Sequence, residues 1–251
     1  MDRYECKQEI KIQHRDVDFK DEMKPSVVMA WMAEIAGVSA DELGLGYSLL
    51  KPQGLAFVIS NTCIEWEKAV PLYEKVCLKT WPLPPSFAVF RREYLFENMV
   101  GEILIKASSR WCLMDMKSGK IVSSKVLQGQ DYTTYNTRMV LDDVQWKLPT
   151  FSWEGMSPSF SLTIANSEYD HNMHVNNARY ADYCLNCFSL AELKTLRIKR
   201  FAITYVKQCH EGETLSFYRQ DMGDGVYGVQ GVNTSGEMVV CAQITMVNCD
   251  A

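Results

Sequence analysis

One segment near the start of the chain limits its architecture more than any other. Residues 26–38 read S-V-V-M-A-W-M-A-E-I-A-G-V, in which Glu34 is the only charged residue. A helix that is apolar nearly all round has to be buried on nearly every side. We therefore predict a helix over about 26–43, ended by Gly44 and surrounded by a sheet. Its apolar residues recur at helical spacing: Val28, Trp31, Met32, Ile35 and Val38.

The rest of the chain repeats one plan, a strand followed by a helix and several further strands. Period-two alternation and flanking turn residues predict the strands. The first copy has strands near 4–18, 54–68, 75–82, 87–97 and 102–116. The second has a strand at 160–164, a helix at 177–193, and strands near 198–208, 214–220, 225–232 and 237–247. We predict an α+β protein with domains at 1–128 and 158–251, and a linker at 129–157 that packs against the sheets.

A polar motif precedes the second helix and reads Y-D-H-N-M-H-V-N-N-A-R-Y over residues 169–180. Asp170, Asn172 and His174 occupy alternate positions, so an extended backbone would point their side chains to one face. Asparagine is a preferred N-cap, and we predict that Asn176 or Asn177 starts the helix. Free N–H groups at a helix start favour the negative charge that develops on an attacked carbonyl oxygen. The motif therefore predicts an active site.

Charge and composition argue against several classes of function. The net charge of −5 argues against nucleic-acid binding and against general binding to anionic membranes, although local basic clusters stay open. The chain has no apolar run close to the roughly 20 residues of a membrane-spanning helix. Its first residues lack the pattern of a signal peptide. The nine cysteines are odd in number and scattered, which indicates reduced thiols and a cytoplasmic protein.

Two local patterns that could suggest a metal site are incomplete. Cys184 and Cys187 form a C-x-x-C inside the second predicted helix, without a second pair, and we interpret them as core residues. His171 and His174 are not joined by a thiol or an acid at a familiar zinc spacing. A glycine-rich phosphate loop is also missing from the sequence. We therefore expect neither a metal nor a nucleotide or flavin cofactor.

The whole string D-x-N-x-H-V-N-N-x-x-Y closely resembles the catalytic signature of the acyl-acyl-carrier-protein (acyl-ACP) thioesterases. These are plant plastid enzymes and bacterial relatives built as tandem double hotdogs, in which each long central helix is wrapped by a curved antiparallel sheet. The resemblance implies this fold for the chain, with the two sheets continuous and the chain acting as a monomeric pseudo-dimer or as a homodimer. Weaker resemblance is spread along the chain: Thr80-Trp81, Arg91, Gly101, Ser109-Arg110-Trp111, Asp115 and the segment 205–209.

The resemblance implies hydrolysis of a fatty acyl-ACP thioester to a free fatty acid and the carrier thiol. His174 is then expected to hydrogen-bond the reacting water or the departing thiolate, since an imidazole suits acid–base chemistry near neutral pH. Asn172 is expected to donate to the carbonyl oxygen or to position the water. Asp170 is expected to orient Asn172 or nearby backbone groups.

One departure from the family pattern lies at Gln208, where relatives usually carry a glutamate. Glutamine cannot act as a base, so Gln208 can only orient water or a neighbour. Three alternatives follow for the missing carboxylate. Asp170 is the sole nearby carboxylate, or Glu211 substitutes for the glutamate, or the activity is reduced. Cys209 matches a cysteine that is common in the plant relatives and is a second candidate nucleophile. The alternative is that Cys209 is a buried strand cysteine beside the site.

The resemblance also suggests where the substrate and its carrier bind. In the family the first domain holds the acyl chain, and four residues of the first helix are candidates, although each is also explained by core packing. Acyl carrier proteins are acidic, so a local basic cluster near the second helix is a candidate docking site; an ordinary solvated loop is the alternative. The acyl-chain candidates are Met29, Trp31, Met32 and Ile35, and the docking candidates are Arg179, Lys194, Arg197, Lys199 and Arg200.

Three other activities remain open on the sequence alone. A thioesterase of the same fold could act on acyl-coenzyme A instead of acyl-ACP. A hotdog dehydratase or hydratase would need an acid–base pair across a β-hydroxyacyl group and would give an unsaturated acyl product. A non-catalytic acyl-binding module is conceivable because of Gln208. The products of a reaction with acyl carrier substrates would separate these alternatives.

Overall fold

The computed structural model describes residues 3–127 and 129–249 and divides into two compact units. The first unit comprises the described residues up to Met23 together with Ala30–Val144. The second comprises Lys24–Met29 and the described residues from Gln145 onward. The predicted boundaries at 1, 128 and 251 lie outside the described residues, and the domain division stays a prediction. None of the helices in the described ranges is long and apolar enough to cross a membrane.

The first unit contains an antiparallel sheet in the order β1-β3-β4-β5-β2, and β6 pairs with the end of β5. The strands lie close to their predicted positions because alternating apolar residues mark them clearly. They are β1 (Cys6–Lys11), β2 (Leu55–Trp66), β3 (Lys75–Pro82), β4 (Val89–Asn98), β5 (Ile103–Asp115) and β6 (Lys120–Ile121).

The predicted first helix is α1 (Pro25–Glu42), followed by the single turn α2 (Tyr47–Leu50). Gly44 ends α1 as predicted: it has a φ of +68°, and the Leu45 N–H donates to the Ala40 oxygen over 2.7 Å. The expectation of burial nearly all round is wrong, because one face of α1 is exposed. That face is mostly small residues, which is why the sequence looks apolar throughout: Ala30, Ala33, Glu34, Gly37, Val38 and Asp41.

A buried arginine fixes the C-terminal half of α1 to the sheet. The Arg92 side chain on β4 donates to the Ser39 hydroxyl over 2.7 Å and to the Thr80 hydroxyl over 3.3 Å. The Tyr4 hydroxyl lies 3.1 Å from the same Ser39 oxygen. The partial negative charge at the C-terminal end of a helix favours a cation at this position.

The second unit contains a sheet in the order β8-β11-β10-β9-β7, and all its pairings are antiparallel. Its strands match the predicted ones closely, with the exception that β8 starts earlier and ends at Tyr205 instead of continuing to Gln208. They are β7 (Phe160–Thr163), β8 (Leu196–Tyr205), β9 (Thr214–Asp221), β10 (Val226–Asn233) and β11 (Met238–Asn248).

The prediction of one continuous second helix is wrong. The segment forms α3 (Arg179–Leu185) and α4 (Leu190–Thr195), separated by a short turn. Ser189 starts α4 with a capping box, in which its hydroxyl accepts from the Glu192 N–H over 3.2 Å and the Glu192 carboxylate accepts in return. The Arg219 guanidinium lies 4.5 Å from the Phe188 ring and 2.9 Å from the Glu192 carboxylate, so it holds the turn in place.

The two units share a turn that supports the internal repeat. The carboxylate of Asp18 accepts from the backbone N–H groups of Lys20 (2.8 Å) and Glu22 (3.3 Å). The carboxylate of Asp170 accepts in the same way from Asn172 (2.8 Å) and His174 (3.4 Å). Each turn contains a residue with positive φ, Asp21 (+58°) in one and Met173 (+60°) in the other. The same local structure therefore precedes the first helix of each copy.

The segment 129–157 packs against the sheets, as the sequence predicts. In the first unit, the Trp81 indole N–H donates to the Arg138 oxygen over 2.8 Å, and the Arg138 guanidinium lies 4.2 Å from the same ring. In the second unit, the Gln230 amide donates to the Phe151 oxygen over 2.9 Å, and Trp153 stacks on Tyr218.

A buried carboxylate fixes the same segment to β4 of the first unit. Glu93 is fully buried and accepts from the Arg91 guanidinium (2.6 Å), the Ser108 hydroxyl (2.8 Å) and the Val140 N–H (2.9 Å). Arg91 also donates to the Leu141 oxygen. The ion pair is therefore completed by hydrogen bonds to a segment far away in sequence, which is the condition under which a buried charge is tolerated.

Candidate active site

The polar motif forms a tight turn between β7 and α3, and the prediction of an extended segment is wrong. The Asp170 N–H donates to the His174 oxygen over 2.8 Å, and the Asp170 carboxylate accepts from the N–H groups of Asn172 and His174. Tyr169 and Val175 form an antiparallel bridge beside it. Aspartate commonly folds the backbone back in this way because its side chain satisfies nearby N–H donors.

This geometry gives the three polar residues different positions. Asp170 is half-buried, with one carboxylate oxygen committed to the backbone of its own turn. Asn172 is exposed on the turn, and His174 is half-buried on its returning side. Within residues 3–127 and 129–249, neither the Asn172 amide group nor the His174 ring makes a hydrogen bond. Both side chains therefore have their polar atoms available to a ligand.

The second helix starts two or three residues later than predicted, and its N-cap position is Ala178 instead of Asn176 or Asn177. The Asn176 carboxamide oxygen accepts from the Ala178 N–H over 2.9 Å, and the Asn176 backbone oxygen accepts from the Arg179 N–H over 2.9 Å. The Tyr205 hydroxyl donates to the Asn177 oxygen over 3.0 Å and so ties this start to the end of β8. With seven residues, α3 is too short to supply a strong helix dipole, and the oxyanion site expected at its start stays a prediction.

The loop 206–213 lies beside the motif turn. The Glu211 N–H donates to the Tyr169 hydroxyl over 2.7 Å, and the Cys209 thiol lies against the Tyr180 hydroxyl. Gln208 and Cys209 therefore belong to a loop, because β8, the strand predicted to contain Gln208, ends at Tyr205. Gln208 is exposed, whereas Cys209 is fully buried. The loop that carries Gln208 and Cys209 therefore contacts Tyr169 and Tyr180 at the two ends of the motif.

The environment of Cys209 disfavours its thiolate. Burial raises the pKa of the thiol; the Tyr180 hydroxyl partly offsets this effect, and the Glu213 carboxylate adds to it. Burial likewise raises the pKa of Tyr180 well above its ordinary value, with the Cys209 thiol contributing. A thiol in such surroundings is protonated near neutral pH and is a poor nucleophile.

Sequence reasoning missed one acidic residue of this neighbourhood. Glu213 directly precedes β9 and lies close enough to Cys209 to raise its pKa. Its Oε2 atom is buried and has no hydrogen-bond partner in the part of the chain that the structure describes. A lone acid before a strand carries no distinctive pattern, so only the fold could bring it to notice.

The four candidates for acyl-chain binding all lie on α1. Met29, Met32 and Ile35 are buried, and Trp31 is half-buried. Burial is compatible both with lining an acyl pocket and with simple core packing, so their assignment stays a prediction.

The basic docking candidates lie on three elements instead of on one loop. Arg179 on α3 and Lys194 on α4 are exposed. Arg197, Lys199 and Arg200 lie on β8 and are half-buried, so they are not the solvated loop that their position after a helix suggested. Their role in carrier docking stays a prediction.

Two family models together match most of the chain. The family model described as "Acyl-ACP thioesterase N-terminal domain" matches residues 3–127, and "Acyl-ACP thioesterase C-terminal domain" matches residues 157–245. A chloroplastic palmitoyl-acyl carrier protein thioesterase of Cuphea hookeriana is 27% identical over 203 residues, which cover 78% of the chain and 48% of that protein. The chloroplastic oleoyl-acyl carrier protein thioesterase 1 of Arabidopsis thaliana is 20% identical over 212 residues, 81% of the chain and 58% of that protein. The chain spans about half the length of the curated relatives it matches.

Solved structures show the same fold. An acyl-ACP thioesterase from Bacteroides thetaiotaomicron has a TM-score of 0.88 at 23% identity and covers 97% of this chain and 98% of its own. The 12:0-ACP thioesterase from Umbellularia californica has a TM-score of 0.86 at 20% identity, covering 97% of both chains. These similarities confirm the predicted tandem double-hotdog fold.

Proposed function

Because the chain belongs to the acyl-ACP thioesterase family, we propose that it hydrolyses fatty acyl-ACP thioesters to a free fatty acid and the carrier thiol. The observation that carries this proposal is the turn organised by Asp170, which leaves the polar atoms of Asn172 and His174 unbonded. A site for thioester hydrolysis needs a proton acceptor for water and a donor for the carbonyl oxygen. An imidazole and a carboxamide on one short turn supply both.

In the proposed reaction, the oxygen of water attacks the carbonyl carbon and the C–S bond breaks. His174 takes a proton from the water and returns it to the departing thiolate, so the imidazole is unchanged after one turnover. Asn172 donates its amide N–H to the carbonyl oxygen, where negative charge develops. Asp170 acts as a positioning residue, since its carboxylate holds the N–H groups of both neighbours.

The loop beside the turn has a supporting part in this proposal. Gln208 is exposed and can orient the attacking water, although it cannot accept a proton. Cys209 is assigned a packing role because it is buried and its thiol pKa is raised. If a carboxylate at this position improves the chemistry, Gln208→Glu will raise the turnover number. An unchanged turnover number would show that His174 suffices without it.

Among the basic candidates for carrier docking, we favour the exposed residues over the half-buried ones. Arg179 and Lys194 can meet an acidic carrier directly, whereas Arg197, Lys199 and Arg200 lie on a strand. Reversing an exposed charge that docks the carrier raises KM for acyl-ACP and makes KM less sensitive to salt.

All nine cysteines are free thiols, which supports the proposed cytoplasmic location. The pseudo-dimer or homodimer stays a prediction.

The experiment that tests the function is incubation with acyl-ACP of graded chain length, followed by quantification of free fatty acid and free carrier thiol. Equimolar release of the two supports hydrolysis. A parallel series with acyl-coenzyme A tests the rival carrier. An unsaturated acyl product would instead indicate dehydratase chemistry, and tight acyl binding without product would indicate a binding module. His174→Ala is the catalytic variant, and His171→Ala in the same turn is its matched control.

A further inference from the structure

One end of the sheet of the first unit brings three loops together. In this antiparallel sheet β3 and β5 finish where β4 and β2 begin. Backbone hydrogen bonds join the loops at this end: the Ser124 N–H donates to the Phe87 oxygen, and the Met116 N–H donates to the Gly54 oxygen, each over 2.8 Å. We call the segments 47–54, 83–88 and 115–127 the lysine end.

The lysine end exposes apolar side chains although an apolar core cluster lies next to it. That cluster contains Leu45, Leu50, Phe90, Leu113 and Leu127, which are all buried. When several large apolar side chains are exposed together, they commonly form an interaction site, whereas single exposed apolar side chains are ordinary. The exposed ones are Tyr47, Leu49, Phe87, Met116, Ile121 and Val126.

Phe87 is the most distinctive of these residues. Its side chain is 77% exposed, and its φ is +54°. A bulky residue rarely adopts this left-handed conformation, which glycine or asparagine adopts at lower energy. The backbone oxygen of Phe87 makes the structural hydrogen bond to Ser124, and any residue could supply that oxygen. The ring is therefore not explained by the stability of the fold.

The charges at the lysine end are mostly positive. Lys51, Lys117, Lys120 and Lys125 are exposed, and none lies within ion-pair distance of a carboxylate in the described ranges. The single acid of the three segments is Asp115, whose carboxylate accepts from the N–H groups of Lys117 and Ser118. A local positive surface thus exists on a chain whose net charge is −5.

The opposite end of the same sheet provides a comparison within the molecule. It also exposes an apolar tip, with Val100 at 88% exposure. Two of its lysines are paired with carboxylates, Lys68 with Glu102 and Lys79 with Glu97, whereas Lys75 is exposed. The lysine end has four lysines and one acid, whereas the loops 67–75 and 99–102 at the opposite end have two lysines and three acids. The excess of positive charge is therefore a property of the lysine end and not of sheet ends in general.

We propose that the lysine end binds the surface of an anionic phospholipid bilayer. Peripheral membrane binding combines apolar side chains that enter the headgroup region with lysines that contact anionic lipids. An acidic protein would match the lysines but would need a pocket for each exposed apolar tip. A bilayer accepts apolar side chains at any spacing. The chain as a whole is negatively charged, so an anionic bilayer repels most of its surface. The lysine end should therefore be the part of the chain that faces the bilayer.

The test is sedimentation of the full chain with vesicles, in the absence of substrate. One preparation contains phosphatidylglycerol and phosphatidylcholine in equal parts, and the other contains phosphatidylcholine alone. The apolar variant is Phe87→Asn with Ile121→Ser; asparagine tolerates the left-handed backbone, so the fold is not strained. The charge variant is Lys117→Glu with Lys120→Glu. Their matched controls at the opposite end of the sheet are Val100→Ser and Lys75→Glu.

We expect the wild-type chain to bind the anionic vesicles, and to bind them more weakly at high salt. The charge variant should weaken binding about tenfold or more, since each lysine near an anionic surface contributes about fivefold. The apolar variant should also weaken binding, since two side chains no longer enter the headgroup region. The controls should bind like wild type. Absence of binding at low ionic strength, or equal loss in the controls, would overturn the inference. So would variants that raise KM for acyl-ACP while vesicle binding persists, because the surface would then take the acidic carrier.

This inference and the proposed hydrolysis can fail separately. Vesicle binding is measured without turnover, so a chain that hydrolyses nothing but binds anionic vesicles leaves the membrane inference standing. A chain that hydrolyses acyl-ACP but does not bind vesicles rejects the membrane inference alone.

Discussion

Asp170 and Asp18 form the same turn in different chemical settings. Each carboxylate accepts from the N–H groups two and four residues later, but the first turn places Lys20 and Glu22 where the second places Asn172 and His174. The backbone role of the aspartate is therefore common to both copies, and the proposed chemistry belongs to one. This duplication provides a built-in control for separating structural from catalytic effects.

The first residue-scale prediction compares Asp170→Ala with Asp18→Ala. Either change leaves two N–H groups without their acceptor and should lower the free energy of unfolding by about 1–2 kcal/mol. Only Asp170→Ala should also lower the turnover number, because Asn172 and His174 lose their fixed positions. Urea unfolding and acyl-ACP hydrolysis measure the two effects. Equal loss of turnover in both variants would contradict the positioning role of Asp170.

The second residue-scale prediction concerns the reactivity of thiols. Burial raises the pKa of Cys209 above its ordinary value of 9.0, so the protonated thiol dominates at neutral pH. Iodoacetamide should label the exposed Cys249 much faster than Cys209, and labelling of Cys209 should accelerate only as the pH rises beyond 9.0. Mass spectrometry of the digested protein gives both rates. Fast labelling of Cys209 at neutral pH, accompanied by loss of activity, would restore the thiol as a candidate nucleophile.

Among the elements, the strands were predictable and the second helix was not. Alternation of apolar residues marked β3 and β9 nearly to the residue. The apolar pattern of the second helix continues through Tyr183 and Phe188, so it hides the break. The local capping box of Ser189 and Glu192 starts α4 after the break, and Arg219, distant in sequence, contacts Phe188 and Glu192.

The break in the helix gives an element-scale prediction. Ser189→Ala removes the cap of α4 and should lower the free energy of unfolding by about 1 kcal/mol. The Ser189 N–H, assisted by the Ser189 hydroxyl and Arg219, lowers the pKa of the Glu192 carboxyl from 4.5. The stabilisation from this carboxylate is therefore full above pH 4.5 and is lost as the pH falls through the lowered pKa. Glu192→Gln should accordingly differ from wild type at neutral pH and converge with it in acid, as measured by denaturant unfolding. A pH-independent difference would contradict this account.

The buried ion pair gives a second element-scale prediction. Glu93→Ala leaves the Arg91 guanidinium without its partner and frees the Val140 N–H, so it should lower the free energy of unfolding by about 3 kcal/mol. The control is Glu102→Ala, which breaks the exposed pair with Lys68 and should change stability little. Limited proteolysis should then cut near Arg138–Leu141 in the Glu93 variant only. Equal stability of the two variants would show that this segment is held by other contacts.

For the whole molecule, the sequence led to the family and the double-hotdog fold, and it marked a candidate active site whose local shape it did not predict. Alternate Asp, Asn and His residues fit an extended strand as well as they fit a turn in which Asp170 accepts from its own backbone. The turn is the more stable of the two because the Asp170 carboxylate accepts from two backbone N–H groups. Glu213 was missed because its proximity to Cys209 arises only from the loop 206–213. Local hydrogen bonds of Asp170 decided the shape of the turn, and contacts distant in sequence brought Glu213 beside Cys209.

We propose that the turn organised by Asp170 presents His174 for hydrolysis of a fatty acyl thioester. The most direct test of this proposal is single-turnover release of free fatty acid from acyl-ACP by the wild-type chain, by His174→Ala and by His171→Ala. We expect release by wild type, a loss of about two powers of ten in His174→Ala, and near-normal release in His171→Ala. A folded His174→Ala variant that releases fatty acid at the wild-type rate would contradict the proposal.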